Sequence, residues 1–481
     1  MAQRALLTVV LLLALAEAGT GQPTPGALKF SGSLRSRVES WDWFQGEADN
    51  RYAYSGSLLR LSLGQQRKDV DWQIEMAIPV LLGLPANATV PGPQGQFGLG
   101  AAYFVANDRS RNAALPFLKQ GYLRFKKLGG SDAHSLRVGR VEFIEGTEVT
   151  PKNPTLATVK RDRIAHRLIG NFGFTHVGRS FDGVHYVFTT PLHNVTLLAA
   201  RPTRGVFQVD GWGELDVAVF YGAYTRQLIA PKSSGELRGF VIQYTDWRDV
   251  LKTDNRSLAA RRADRANVRV NTVGGHYLLA AERLGGVMDL LVWGAIQSGR
   301  WGTQDHRAAA VALEAGYQLP VWSSIKPWLR GGVYHGSGDN NPSDNKHGTF
   351  FQILPTARWY ARFPFFNLMN NQDFFGQITV RPHPRLKLQS EVRSLRLSTQ
   401  NDLWYLGGGA FQPWTFGFVG RPSNSSRGLA TLFDLSADYE INSSVSVGAY
   451  FGRAQGKSVP ASIYPRGPNA SLGFVELGYR F

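Results

Sequence analysis

The stretch that most constrains the fold is the final one, Ser471 to Phe481. Successive side chains of a strand point to opposite faces. Gly473, Val475, Leu477, Tyr479 and Phe481 therefore share an apolar face. Phe474, Glu476, Gly478 and Arg480 share a wetter one. The alternation runs to the last residue and ends on a bare aromatic. In water such an edge is a template for aggregation. Closing a barrel, with this strand paired to the first, removes the edge. A soluble sandwich is the alternative that one strand leaves open.

The same period recurs along the chain. Phe30, Leu34 and Val38 alternate with Lys29, Arg35 and Arg37. Leu59, Leu61 and Leu63 lie opposite Arg60. Trp72, Ile74, Met76 and Ile78 face away from Gln73 and Glu75. Leu123 and Phe125 oppose Tyr122, Arg124 and Lys126. Further strands centre on Val138, Tyr186, Leu197, Val219, Ile242, Tyr277, Val292, Val311, Leu329, Ile378, Leu388, Leu435 and Val447. The total is about 18 strands, an even number as bacterial barrels have. No apolar run of about 18 residues follows the N-terminus, so no membrane-crossing helix is encoded.

Connection lengths alternate independently of hydropathy. Gln66–Asp69, Leu128–His134, Pro191–Asn194, Leu284–Gly286, Pro382–Pro384 and Asn442–Ser444 are short. Leu84–Pro116, Ile144–Ser180, Ser337–Gln372 and Thr399–Arg427 are long, and Gly456–Ala470 is longer than a turn. Short periplasmic turns and long external loops give this parity, with both chain ends periplasmic. A sandwich has no reason to keep it. Trp41, Trp43, Tyr52, Tyr54, Trp322, Trp328 and Tyr334 cluster near strand ends, as interfacial aromatic belts would. No linker marks a second domain.

Met1 to Ala18 has the layout of a secretory leader. Arg4 supplies the positive start, Ala5–Ala16 the apolar core, and Ala16-Glu17-Ala18 the cleavage site. The expected organisation is a leader at 1–18 and one barrel domain at 19–481. The chain has no Cys, which argues against a disulfide-stapled secreted protein. Its formal charge is +17, and cleavage would leave that unchanged because Arg4 and Glu17 depart together. With a pI near 10.0, this implies an acidic partner. The leader excludes nucleic acid. Anionic lipopolysaccharide, an anionic polymer and small anions remain.

One internal stretch is distinctive. Leu136-Arg137-Val138-Gly139-Arg140-Val141-Glu142-Phe143 leads into a long loop that returns as Gly178-Arg179-Ser180-Phe181-Asp182-Gly183-Val184. Two others are Ser337-Gly338-Asp339 through Phe350-Phe351-Gln352-Ile353-Leu354-Pro355-Thr356, and Arg381-Pro382-His383-Pro384-Arg385-Leu386-Lys387-Leu388 followed by Asp402-Leu403-Trp404-Tyr405. With Tyr479-Arg480-Phe481, they resemble the alginate-export family of outer-membrane barrels. The terminal Phe also resembles the assembly signal of such barrels. The resemblance implies an 18-stranded barrel whose Arg- and Lys-lined lumen guides an anionic polysaccharide outward. Two segments depart from the family pattern. The loop between Glu145 and Arg179 carries Lys160, Arg161, Arg163 and Arg167 in place of a Trp-bearing segment. Ala357-Arg358-Trp359 stands where a His-bearing segment is expected.

The expected fold is all-β, a transmembrane antiparallel barrel, monomeric and without cofactor, in the bacterial outer membrane after Sec export. The expected pore lining is Arg35, Arg124, Arg137, Arg140, Glu142, Arg179, Asp182, Lys326, Arg330, Arg381, Lys387, Arg393 and Arg480. Rings of Arg and Lys line anion-selective pores. Buried charges need partners, so an Arg–carboxylate network bracing the loop is an equally economical role for Arg140, Glu142, Arg179 and Asp182. Ser337–Asp344 offers oxygen ligands for Ca²⁺ but lacks the Glu that ends a calcium loop, which favours a plain external loop. The His residues stand beside no Ser or Asp partner, and no hydrolase motif occurs, so catalysis is not expected. The expected function is export of an alginate-like anionic polysaccharide, with uptake of small anions as the alternative. Outer-membrane lipid, lipopolysaccharide and periplasmic export proteins are the expected partners.

Overall fold

A computed structural model describes residues 26–322, 324–356 and 362–481. The expected leader Met1–Ala18 and the segment Ala357-Arg358-Trp359 lie outside the described residues. Eighteen antiparallel strands form one closed wall. They are β1 Leu28–Asp42, β2 Arg51–Gln66, β3 Val70–Leu82, β4 Phe117–Lys126, β5 His134–Val141 and β6 Phe181–Thr189. Then come β7 His193–Pro202, β8 Val217–Ala230, β9 Ser233–Asp246, β10 Val268–Arg283, β11 Gly286–Trp301 and β12 Gln304–Gln318. The wall ends with β13 Trp328–Gly336, β14 Asn371–His383, β15 Leu386–Leu397, β16 Gly428–Glu440, β17 Val445–Gly456 and β18 Asn469–Arg480. Every expected strand centre falls inside one of them.

Each strand pairs with its sequence neighbour, and β18 closes on β1 from Ser33↔Arg480 to Asp42↔Ser471. The wall therefore has no free edge, which satisfies every ladder donor without water. Alternation sets the faces. Val38, Ile74, Val241, Ile296, Leu435 and Val475 point outward and are exposed, as lipid-facing residues are in a chain without its membrane. Connections at one end are turns. Leu284 and Gly285 both take positive φ, 49° and 79°, the requirement of a two-residue type I′ hairpin. Connections at the other end are long, save the tight turn 302–303 between β11 and β12.

The long connections fold inward and fill the external half of the lumen. Phe44, Phe97, Phe172, Phe207, Phe351, Phe365, Trp404 and Phe416 come mostly from different loops, and all are buried. Phe172 and Phe207 lie 5.5 Å apart, Phe207 and Phe411 5.1 Å, and Phe351 and Trp301 5.1 Å, edge to face. This corrects the expected aromatic belt. Trp41, Tyr52, Tyr54, Trp328 and Tyr334 occupy inward register positions, and Trp43 packs among the loops. Of that set Trp322 alone is exposed, in the turn 319–327.

Candidate solute pathway

The lumen is organised by the connection 142–180. It enters from β5 and turns under the capping of Asn153, whose Oδ1 accepts from Thr155 N at 3.0 Å and Leu156 N at 3.1 Å. Pro154 occupies the first helical position, where its fixed φ costs nothing. The helical turn Pro154–Val159 runs into the wider turn Lys160–Ile164, which brings four consecutive charges into the lumen.

Those charges pair with the wall on several sides. Lys160 reaches Glu236 of β9 at 2.7 Å. Arg163 and Arg167 share Glu314 of β12, at 2.7 and 3.0 Å, and Arg330 of β13 approaches the same carboxylate at 3.3 Å. Asp162 lies 3.7 Å from Lys387 of β15. In the opposite sense, Glu142 meets Arg60 of β2 at 2.6 Å and Lys119 of β4 at 3.5 Å. Glu145 and Glu148 both hold Arg238 of β9, at 3.0 and 2.9 Å. Burial alone would raise the Glu148 carboxyl, but Arg238, Lys160 and the Tyr221 hydroxyl outweigh it and hold it down at about 2. Loop and wall thus exchange charges in both directions, so few of these buried ions are left uncompensated.

The expected pore residues separate into distinct environments. Arg35 faces inward and donates to the carbonyls of Gly173 and Thr175, close to Glu476. Arg330 pairs with Asp289 at 3.0 Å as well as with Glu314. Arg393 is buried between Asp373 and Glu391. Lys387 and Glu142 belong to the loop network. Arg124 and Arg137 stand directly opposite each other on β4 and β5, on the inward face. Arg137 lies over the Tyr122 ring at 5.4 Å. Arg124, Arg137, Arg381 and Arg480 have no carboxylate within ion-pair distance among the described residues, and all four lie toward the turn end of their strands.

Three expectations need correcting. Arg140 and Asp182 pair with each other at 2.6 Å, but on the outer face. Their neighbours Val141 and Phe181 are buried inward, so alternation turns both charges outward. There Arg140 also donates to Gly211 O and Trp212 O, at 3.2 and 2.8 Å, fastening the external loop 203–216 to the rim. Lys326 is exposed in the turn 319–327 and lies on no strand. The expected pore lining also leaves out Arg60, Lys119, Glu236, Arg238, Asp289 and Glu314. The signal for most of them was present, a charge at the inward phase of an apolar strand.

Arg179 is the most unusual residue. It is fully buried at the end of the loop. Its guanidinium donates to the carbonyl of Gly408 and, at 3.5 Å, to that of Ala410; Nε has no partner. No carboxylate pairs with it among the described residues. Burial pushes it down to about 9.

Two cavities lie toward opposite ends of the barrel. A polar one of about 730 Å³ at the turn end is lined by Lys29, Arg67, Trp72, Tyr122, Arg124 and Lys126. An apolar one of about 370 Å³ among the external loops is lined by Trp43, Phe207, Phe411, Trp414 and Phe418, with Arg421. Among the described residues no group of His, Asp and Glu could hold a metal ion, including in Ser337–Asp344.

Comparison with known proteins gives the same architecture. OccAB4 of Acinetobacter baumannii superposes with a TM-score of 0.56 at 9% identity, covering 96% of this chain and 100% of that one. OccK9 (OpdG) of Pseudomonas aeruginosa gives 0.59 at 10% identity, covering 94% and 98%. The outer membrane protein OpdK of Pseudomonas aeruginosa gives 0.54 at 8%, covering 94% and 99%. At these identities the likeness is one of fold. A search of curated protein sequences finds no significant match. The family model described as "Alginate export" matches residues 27–452. The chain therefore belongs to the alginate export family, a transport family and not an enzyme family, and is a porin-like β-barrel of the outer membrane.

Proposed function

We propose that the protein is an anion-selective channel through which an acidic polysaccharide leaves the cell, entering at the periplasmic mouth. One observation carries this reading: the inward arginines without a carboxylate partner, Arg124, Arg137, Arg381 and Arg480, gather at the turn end, and Arg179 is buried without one where the loop 142–180 meets the external loop 398–427. A carboxylate arriving from the periplasm meets guanidiniums that no protein carboxylate holds, which can attract it yet release it. Deeper in, Arg60 and Arg238 are already held by Glu142, Glu145 and Glu148. A cargo carboxylate can replace a loop glutamate at such a site with no net change in buried charge. Passage would thus displace the loop by exchange of like partners. We further read residues 1–18 as a cleaved leader and 19–481 as one barrel, working as a monomer with periplasmic partners.

A second reading has its own support. The loops fill the external half, and the two cavities are of small-molecule size. One barrel of similar fold, OpdK, has been solved with vanillate, an aromatic carboxylate. Uptake of small organic anions would suit that geometry.

Planar-bilayer recording tests both. The unmodified protein should be anion-selective, most strongly at low salt, because added ions screen the field. Arg124→Gln combined with Arg137→Gln should move the reversal potential toward cations while the barrel still folds, since neither residue is ion-paired. Uronate oligomers added from the periplasmic side should block. Cation selectivity in the unmodified protein would remove the anionic cargo altogether. Passage of monomeric carboxylates without block by oligomers would favour uptake.

A further inference from the structure

The outer face of β10–β12 carries a second site, unrelated to the lumen. Val273, Ile296 and Val311 point outward there, 53%, 65% and 42% exposed. Above Val273 and Ile296, toward the external rim, the register sets Asn271, Ser298 and Arg307 side by side. The next row is Arg269, Arg300 and Asp305. Three arginines on three adjacent strands thus stand immediately above the apolar belt. Arg269 directly faces Arg300, and like charges opposed across a strand pair disfavour the sheet. Asp305 pairs with Arg300 at 2.7 Å; Arg269 and Arg307 have no carboxylate partner among the described residues.

Beneath the arginines the wall is hollowed. A groove of about 340 Å³ runs over Val273, Gly294, Ile296, Ala309 and Val311. Gly294 forms part of its floor, and a Cβ added there would meet only the Ala310 carbonyl, at 3.6 Å. The backbone at this position does not require glycine. Above the arginines the connection is the tight turn 302–303, the one external link too short to overhang them.

We propose that this wall binds a phosphorylated, multiply acylated glycolipid of the outer leaflet, the lipid A part of lipopolysaccharide. Guanidinium forks match phosphate oxygens in pairs. Clustered arginines at headgroup height, two of them without a counter-ion, call for more than one negative group. A zwitterionic phospholipid brings its own ammonium and would leave them uncompensated. The groove takes an acyl chain, and the low rim leaves room for a sugar headgroup.

Native mass spectrometry of the detergent-purified barrel tests this, with bisphosphorylated hexa-acyl lipid A, its dephosphorylated form and phosphatidylethanolamine as probes. Lipid A should give a one-to-one complex, and the other two should bind at least tenfold more weakly. Arg269→Gln, Arg300→Gln and Arg307→Gln together should weaken lipid A binding about tenfold. Gly294→Leu, which fills the groove and leaves the charge intact, should also weaken it. Arg51→Gln with Arg453→Gln, on other strands, should leave it unchanged. Heat-modifiable gel migration reports whether each variant is folded. Undiminished lipid A binding by folded Gly294→Leu or by the folded triple variant overturns the proposal. So does an equal loss in the Arg51 and Arg453 variant, or binding of inorganic phosphate with the same variant dependence and no binding of lipid A.

Discussion

At the residue scale, Asp339 is placed to make the external loops respond to pH. Its Oδ1 accepts from Asn341 N at 3.0 Å, and its buried Oδ2 has no partner. Burial pushes this carboxyl up to about 6, and the nearby Asp402 and Asp344 add to the effect. Asp402 binds the same segment, accepting from Asp339 N at 2.9 Å and Thr349 Oγ1 at 2.6 Å. The folded loop therefore holds a proton that the unfolded loop gives up near 3.8. The resulting stability is fully present below that value and is lost as pH rises through about 6. Amide exchange over residues 337–356, corrected for intrinsic rates, should be slower at pH 5 than at pH 7.5. Asp339→Asn should flatten the difference, because an amide stays neutral throughout. A pH dependence that survives in the Asn variant would assign the effect to another group.

At the scale of the element, the connection 142–180 is held by charge exchange, and Glu314 is its most connected anchor. Replacing it by Gln leaves Arg163, Arg167 and Arg330 around a neutral amide. Removing one partner from such a buried network costs about 3–5 kcal/mol. The wall has its own ladder and should survive, so the loss should appear as a loosened loop. Glu314→Gln should therefore raise single-channel conductance while heat-modifiable migration stays normal; an unchanged conductance would show that the loop does not limit flow. This loop also marks where the sequence stops being legible. Period-two alternation located all the strands, from Phe30 and Val38 in β1 to Val475 and Leu477 in β18. It placed Arg35, Arg330 and Arg393 on the inward phase. It failed for Arg140 and Asp182 because both faces of the wall are wet above the membrane, so polarity no longer distinguishes inside from outside. It failed for Trp41 and Tyr54 because the lumen holds an apolar core of loops, which a periodicity expecting water cannot reveal. The partner of Arg163 could not be read at all, since Glu314 lies on a strand far along the chain and no local pattern joins the two.

At the scale of the whole molecule, the seam between β1 and β18 decides whether there is a barrel. Phe481 exchanges backbone hydrogen bonds with Gly32, at 3.0 and 2.8 Å. Its ring lies 6.1 Å from Phe30 and 5.5 Å from Tyr479. Gly32 gives the ring its space, for an added Cβ would meet it at 2.3 Å. Deleting Phe481 should lower the amount of heat-modifiable protein in the outer membrane and increase periplasmic degradation. Normal levels of folded protein would show that the other register pairs suffice. The seam also imposes an order of events. Contacts between the two ends of a chain are the slowest kind to form, because loop-closure entropy is lost before they repay it. Until β18 arrives, the sheet has two open edges, and the anchors of the 142–180 loop, spread from β2 to β15, are not yet gathered around one lumen. The interior therefore belongs to the last stage of folding, so mutations in the charge network should speed unfolding far more than they slow assembly.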